Sequence, residues 1–197
     1  TTLAEDPEQR RLIISGGRDF RSGDTAGGPW HYFTAVRAIT SGGEYISLDW
    51  EMPEPLADHC MVITRSSGAR RRLWVIGGSN KPQRYRVEVH ARPLDGPISP
   101  WTRMPDLLDA GSGREGDDGC DIRITILSQG CVAMEIGNQQ GILVTGGYYN
   151  GVSSMWLPLE ARGGRSLETF GPERNLPRWE YVGGLTKVRI NKLNCSH

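Results

Sequence analysis

The sequence predicts an all-β fold assembled from repeated four-stranded antiparallel units. Three observations carry that prediction. Short, β-branched apolar runs recur at Leu12-Ile13-Ile14, Leu73-Trp74-Val75-Ile76 and Ile142-Leu143-Val144, the length of buried strands and too short for helices. Strict alternation of polar and apolar residues appears in Arg84–Val89 and Asp121–Ile126, the pattern of half-buried strands, whereas a helical period is absent beyond one turn near Asp106–Ala110. Each apolar run leads into a Gly-Gly dipeptide, Gly16-Gly17, Gly77-Gly78 and Gly146-Gly147, and these recur at intervals of 61 and 69 residues.

Taken in chain order, the elements repeat. Leu12–Ile14 runs to the first Gly-Gly, and after an inserted loop (Gly17–Trp30) an alternating strand is expected over Tyr32–Ile39, followed by Trp50-Glu51-Met52-Pro53. Met61–Thr64 and Leu73–Ile76 form a predicted hairpin whose tip carries Ser66-Ser67-Gly68 and the basic run Arg70-Arg71-Arg72. The next strand is Arg84–His90, followed by Trp101-Thr102-Arg103-Met104-Pro105. A second inserted loop (Leu107–Asp121) precedes the hairpin of Cys131–Ile136 with Ile142–Thr145, then a strand over Val152–Leu159 and Leu176-Pro177-Arg178-Trp179. The units are placed at 11–56, 57–106 and 121–178. The chain is expected to enter its first unit at the second strand, and Tyr181–Ile190 to open a further one. A unit this small cannot bury both faces alone, so neighbours must stack. The tryptophans suit the wedge between adjacent sheets, and the glycines a strand end too crowded for a Cβ.

Composition narrows function. Among 197 residues, 23 Lys+Arg balance 23 Asp+Glu, which argues against nucleic-acid or acidic-membrane binding. No apolar stretch approaches the roughly 20 residues of a membrane-spanning helix, and no signal peptide is visible over Thr1–Glu8; the compartment expected is the cytoplasm. Gly is abundant (26 residues), consistent with many turns. Cys60, Cys120, Cys131 and Cys195 match no zinc spacing and are too few for a disulfide scaffold, so they are expected as small buried hydrophobes. Asn194-Cys195-Ser196 is formally a glycosylation sequon.

Strand–Gly-Gly, an alternating strand, then Trp-x-x-Met-Pro resembles the kelch repeat, best over Leu73–Pro105 and Ile142–Pro177 and more loosely over Leu12–Pro53. The resemblance covers about Arg11 to about Val188. It implies a partial kelch-type β-propeller of about three to four blades, each an antiparallel four-stranded sheet, or about half a propeller with open end blades through which copies can associate. Two features depart from the kelch pattern: the repeat spacing exceeds the usual ~50 residues, and Trp179 follows Pro177 instead of preceding it.

The resemblance also implies a site. In kelch-like propellers the first and third residues after Gly-Gly lie in loops on one face and contact partners; here these are Arg18 and Phe20, Ser79 and Lys81, Tyr148 and Asn150. Arg offers bidentate donors to carboxylates, and Tyr and Phe offer rigid contact area, so the expected partner is a protein or peptide bearing acidic groups. Asp58, His59, Asp117 and Asp118 are secondary candidates from neighbouring loops. No catalytic residue, metal or cofactor is assigned. The pair Asp58-His59 lacks an accompanying nucleophile motif. The glycine-rich run Gly111–Gly119 lacks the Lys-Ser/Thr of a phosphate loop and the alternating Asp of a calcium loop. The alternatives are a copper oxidase of the galactose-oxidase kind and a non-catalytic structural remnant. The former needs two His and two Tyr at one metal, whereas His31, His59, His90 and His197 are scattered.

Overall fold

The computed structural model describes residues 1–19, 30–65, 70–81, 84–95, 99–107, 130–136, 139–145, 154–161, 165–166 and 180–181. Among them there is no α-helix. The strands are β1 (Thr2–Asp6), β2 (Arg11–Ser15), β3 (Arg18–Asp19), β4 (His31–Tyr32), β5 (Ala35–Thr40), β6 (Tyr45–Glu51), β7 (Cys60–Arg65) and β8 (Arg71–Lys81). There follow β9 (Arg84–Pro93), β10 (Thr102–Met104), β11 (Gly130–Ile136), β12 (Gln139–Thr145), β13 (Ser154–Pro158), β14 (Glu160–Ala161), β15 (Arg165–Ser166) and β16 (Glu180–Tyr181). They build three four-stranded sheets in the orders β1-β2-β5-β6, β7-β8-β9-β10 and β11-β12-β13-β16, with β3-β4 and β14-β15 as small two-stranded additions. Every pairing is antiparallel. Both predicted hairpins form, with Ile63 opposite Leu73 and Val132 opposite Leu143.

The period of two along each strand gives every sheet two faces, and the register shows how they are used. In the first sheet Ala4 lies opposite Ile13 and Ile13 opposite Ala38, all buried. With Val36, Leu48 and Trp50 they pack on Met61, Ile63, Leu73 and Val75 of the second sheet. The other face of the second sheet (Val62, Trp74, Ile76, Val89, Ala91) packs on Ile142, Val144, Met155 and Leu157 of the third. Trp74 is wholly buried, and its indole N–H donates to Thr64 Oγ1 at 2.7 Å, so the largest side chain here enters the core without an unpaired donor. The first strands of the three sheets lie side by side, β1 against β7 and β7 against β11.

Polar contacts reinforce both seams. Between the first and second sheets, Arg71 Nη1 lies 2.5 Å from Asp6 Oδ1 while its Nε donates to Asp95 Oδ1 at 3.0 Å, and Arg11 holds the other Asp6 oxygen. Asp6 is fully buried, so each of its oxygens needs such a partner. Trp50 and Trp101, one from each Trp–Met–Pro element, meet edge to face at 6.0 Å, and the Arg92 guanidinium lies 4.1 Å from the Trp50 ring centroid. The tryptophans thus fill the wedge between sheets. Between the second and third sheets, Cys60 and Cys131 are joined by a disulfide, their Cα atoms 5.9 Å apart.

Several expectations are corrected. The first unit begins at Thr2: β1 supplies a first strand, inconspicuous because its inward residues are the small Ala4 and the ion-paired Asp6. Tyr181, expected to open a further unit, pairs with Met155 in the third sheet. The second Gly-Gly does not end its strand; β8 runs through Gly77-Gly78 to Lys81 with a register shift between Ile76 and Gly78. Cys60 and Cys131 pack in the core as expected, but they do so as disulfide partners. Within the run Arg70–Arg72, Arg71 is buried and paired with the carboxylates of Asp6, Glu8 and Asp95. Gly146-Gly147, Asp121–Ile126, Gly111–Gly119, Trp179, Cys120, Cys195, His197 and the Asn194 sequon lie outside the described residues.

Candidate functional site

After β2, Gly16 and Gly17 take φ of +52° and +112°, values that favour glycine and that Gly77 and Gly78 also take within β8. Their backbone is nonetheless fully engaged: Gly16 N–H donates to Ala35 O (3.0 Å) and Gly17 N–H to Leu56 O (2.8 Å). The turn delivers Arg18 into β3, opposite Tyr32 of β4. Leu56–His59 carries the chain from the first sheet to the second across this same end. Its Leu56 N–H donates to Phe33 O, and Ala57 and Ser79 exchange both backbone hydrogen bonds at 2.8 Å. A Cβ on Gly16 would strike Leu56 O, and one on Gly78 would lie 2.8 Å from Ala57 O and 2.7 Å from His59 Cβ. Both dipeptides therefore make room for one crossing segment.

The crossing brings charge to the surface beside Arg18. Asp58 sits at φ +54°, a conformation that Asp tolerates better than most residues. Its carboxylate is 3.4 Å from Arg18 Nη2, and the Arg18 guanidinium lies 4.8 Å from the centroid of the Trp30 ring. The pair is half-open to solvent (40% and 27% exposed), so the ion pair contributes at most ~1 kcal/mol. A few residues before Asp58, Glu54 accepts from Asn80 Nδ2 (3.0 Å) and Arg86 Nε (3.1 Å), and Arg86 also reaches Glu88 (3.1 Å). The Glu54 hydrogen bond raises the Arg86 pKa further.

His59 faces inward. Its Nε2 is 2.7 Å from Ser15 Oγ, and Ser15 donates to Met61 Sδ at 3.2 Å. The other ring nitrogen, Nδ1, is buried and has no hydrogen-bond partner. Burial lowers the His59 pKa to about 3, so the ring is a weak base. Asp58 and His59, adjacent in sequence, point to different surroundings and form no dyad. Among the described residues no three His, Cys, Asp or Glu side chains are gathered as a metal site requires.

Of the residues expected to contact a partner, Arg18 is exposed at this end. Ser79 is 2% exposed and lies in β8 bonded to Ala57, so it is a structural residue and not a loop contact. Lys81 closes β8, within a strand instead of a free loop. Phe20, Tyr148 and Asn150, like Asp117 and Asp118, lie outside the described residues. Trp30 was not singled out from the sequence, because it belongs to no repeat position; only folding of β3 against β4 brings it to Arg18. No protein-family model matches the chain, and no curated protein matches it.

Proposed function

We propose that this chain is a kelch-like propeller segment that acts as a protein-interaction module, gripping a carboxylate-bearing peptide or loop at its Gly-Gly end. The observation that carries the reading is Arg18, stacked on Trp30 and holding Asp58 at 3.4 Å in a half-exposed pair. An aromatic face that orients a guanidinium leaves its fork for a planar anion, and Asp58 marks where a partner's carboxylate would sit. The propeller part of the reading is supported by three meandering four-stranded sheets whose first strands lie side by side. The Cys60–Cys131 disulfide favours an oxidising compartment over the cytoplasm.

Binding of fluorescent Glu-rich dodecapeptides, set against Gln-rich counterparts, tests the site. Arg18→Ala and Trp30→Ala should each weaken binding by about tenfold, equivalent to ~1.4 kcal/mol. Asp58→Asn removes the internal competitor and should tighten it. Equal affinity for both peptide types, or Asp58→Asn weakening the complex, would overturn the proposal.

A further inference from the structure

We infer that Arg92 anchors a second binding site, at the seam between the first and second sheets, that takes the carboxylate of a ligand. Among the described residues, Asp6, Arg71 and Arg92 carry their charges in buried positions. The first two answer one another: Asp6 holds Arg11 and Arg71, and Arg71 also meets Asp95 and Glu8. Arg92 is as deeply buried, at 4% exposed, yet no carboxylate meets it among the described residues. Its Nε is sealed from solvent without a hydrogen-bond partner, and no hydrogen bond or ion pair reaches its Nη atoms. Burial lowers its pKa, whereas the hydrogen bonds of Arg71 to Asp95 and of Arg86 to Glu54 raise theirs.

What Arg92 does touch is aromatic. β9 sets it opposite the wholly buried Leu73, on the face turned to the first sheet. There the guanidinium lies 4.1 Å from the Trp50 ring centroid and 5.7 Å from that of Trp101. The Trp101 indole is itself fixed, donating to Glu51 O at 2.6 Å. Ring faces attract a cation, but they give its N–H groups no lone pair to bond. A charge taken this far from water needs a hydrogen-bonded counter-ion, and that is the missing part of the site.

The surroundings select the anion. Trp50, Trp101 and Leu94 are half-buried apolar side chains packed at this seam, so the site is lined with carbon at the solvent margin. One negative charge neutralises Arg92, whereas a phosphate dianion would leave net charge in apolar surroundings. A carboxylate carries that single charge, and its two oxygens match the guanidinium fork. The position is separate from the Gly-Gly end. Arg86 pairs with Gly78 there, and the stretch of β9 from Arg86 to Arg92 is ~20 Å long.

Nuclear magnetic resonance of the isotope-labelled full chain reads the site through the Arg92 Nε–H, identified by its loss in Arg92→Met. Should that variant not fold, Arg92→Lys identifies the resonance equally, since lysine has no such group. Arg18→Ala is the background throughout, so that no response comes from the Gly-Gly end. Sodium acetate should move the resonance saturably, and sodium chloride at equal ionic strength should leave it in place. Phosphate should need a higher concentration than acetate. A peptide with one central Glu, set against its Gln counterpart, distinguishes the sources of the carboxylate. Half-saturation below that of acetate assigns a partner's side chain, and half-saturation above it a free small acid. A resonance that acetate does not move, or that chloride moves equally, would overturn the inference. So would a tighter response to phosphate. Failure of Arg18→Ala to weaken Glu-rich peptides, which would sink the reading of the Gly-Gly end, leaves all these outcomes unchanged.

Discussion

Gly78→Ala separates the two reasons for a glycine in the Gly-Gly dipeptide. At φ +102° an L-residue is strained by ~1–2 kcal/mol. The added Cβ would also lie 2.7 Å from His59 Cβ, 2.8 Å from Ala57 O and 3.0 Å from His59 Cα. Two of those three neighbours are backbone, fixed by the paired Ala57–Ser79 hydrogen bonds, so relief requires moving the crossing itself. Overpacking of that kind costs ~1–3 kcal/mol, and the total is then ~2–5 kcal/mol. For a chain this long each kcal/mol lowers Tm by about 2–4 °C, giving a drop of about 4–20 °C. Two other glycines isolate the terms. Gly43 has φ +83° with nothing within 4 Å of its would-be Cβ, so Gly43→Ala should show the conformational part alone. At Gly141 φ lies outside the left-handed range and a Cβ would press on the Trp156 ring (2.6 Å to Cε2), so Gly141→Ala should show crowding alone. Thermal melts followed by circular dichroism compare the three variants. If Gly78→Ala melts with Gly43→Ala, the close approach of the crossing segment is refuted.

Two further measurements address what holds the sheets together. Because burial lowers the His59 pKa from 6.5 to about 3, the unfolded chain binds the proton more readily. The stability due to neutral His59 is therefore complete above pH ~6.5 and falls as pH drops toward 3, by up to ~1.4 kcal/mol per unit. Urea denaturation between pH 7.5 and 4 should show this slope, and His59→Gln should flatten it; an unchanged slope in the variant would remove His59 as its source. The Cys60–Cys131 link closes a 71-residue separation, so replacing both cysteines by serine should cost about 4 kcal/mol in the chain-entropy account. Peptide mapping without reduction should recover the two cysteines in one species, and their recovery as free thiols would disprove the pairing.

The all-β architecture was legible in the sequence because its signals are local. Leu12–Ile14, Leu73–Ile76 and Ile142–Val144 are strands by composition and length alone, and period-two alternation already assigns each residue to a face. The hairpin of Met61–Thr64 with Leu73–Ile76 likewise needed only a turn between two such runs. Other features depend on residues far apart in the chain. β1 becomes a strand because Asp6 finds Arg71, 65 residues away, without which a buried carboxylate would be prohibitive. Cys60 and Cys131 match no spacing rule, since only the stacking of the second sheet on the third brings their Cα atoms within reach. Arg18 was placed by its position after Gly-Gly, whereas Trp30 and Asp58 reach it through the β3–β4 pairing and the crossing segment. Ser79 looked equivalent to Arg18 by count and proved buried, because β8 continues past its glycines while the chain after β2 turns away. Local hydrophobic pattern sets which residues form strands and which face turns inward. Tertiary packing alone decides which charges are neutralised and which cysteines meet, since those outcomes depend on what the neighbouring sheet presents.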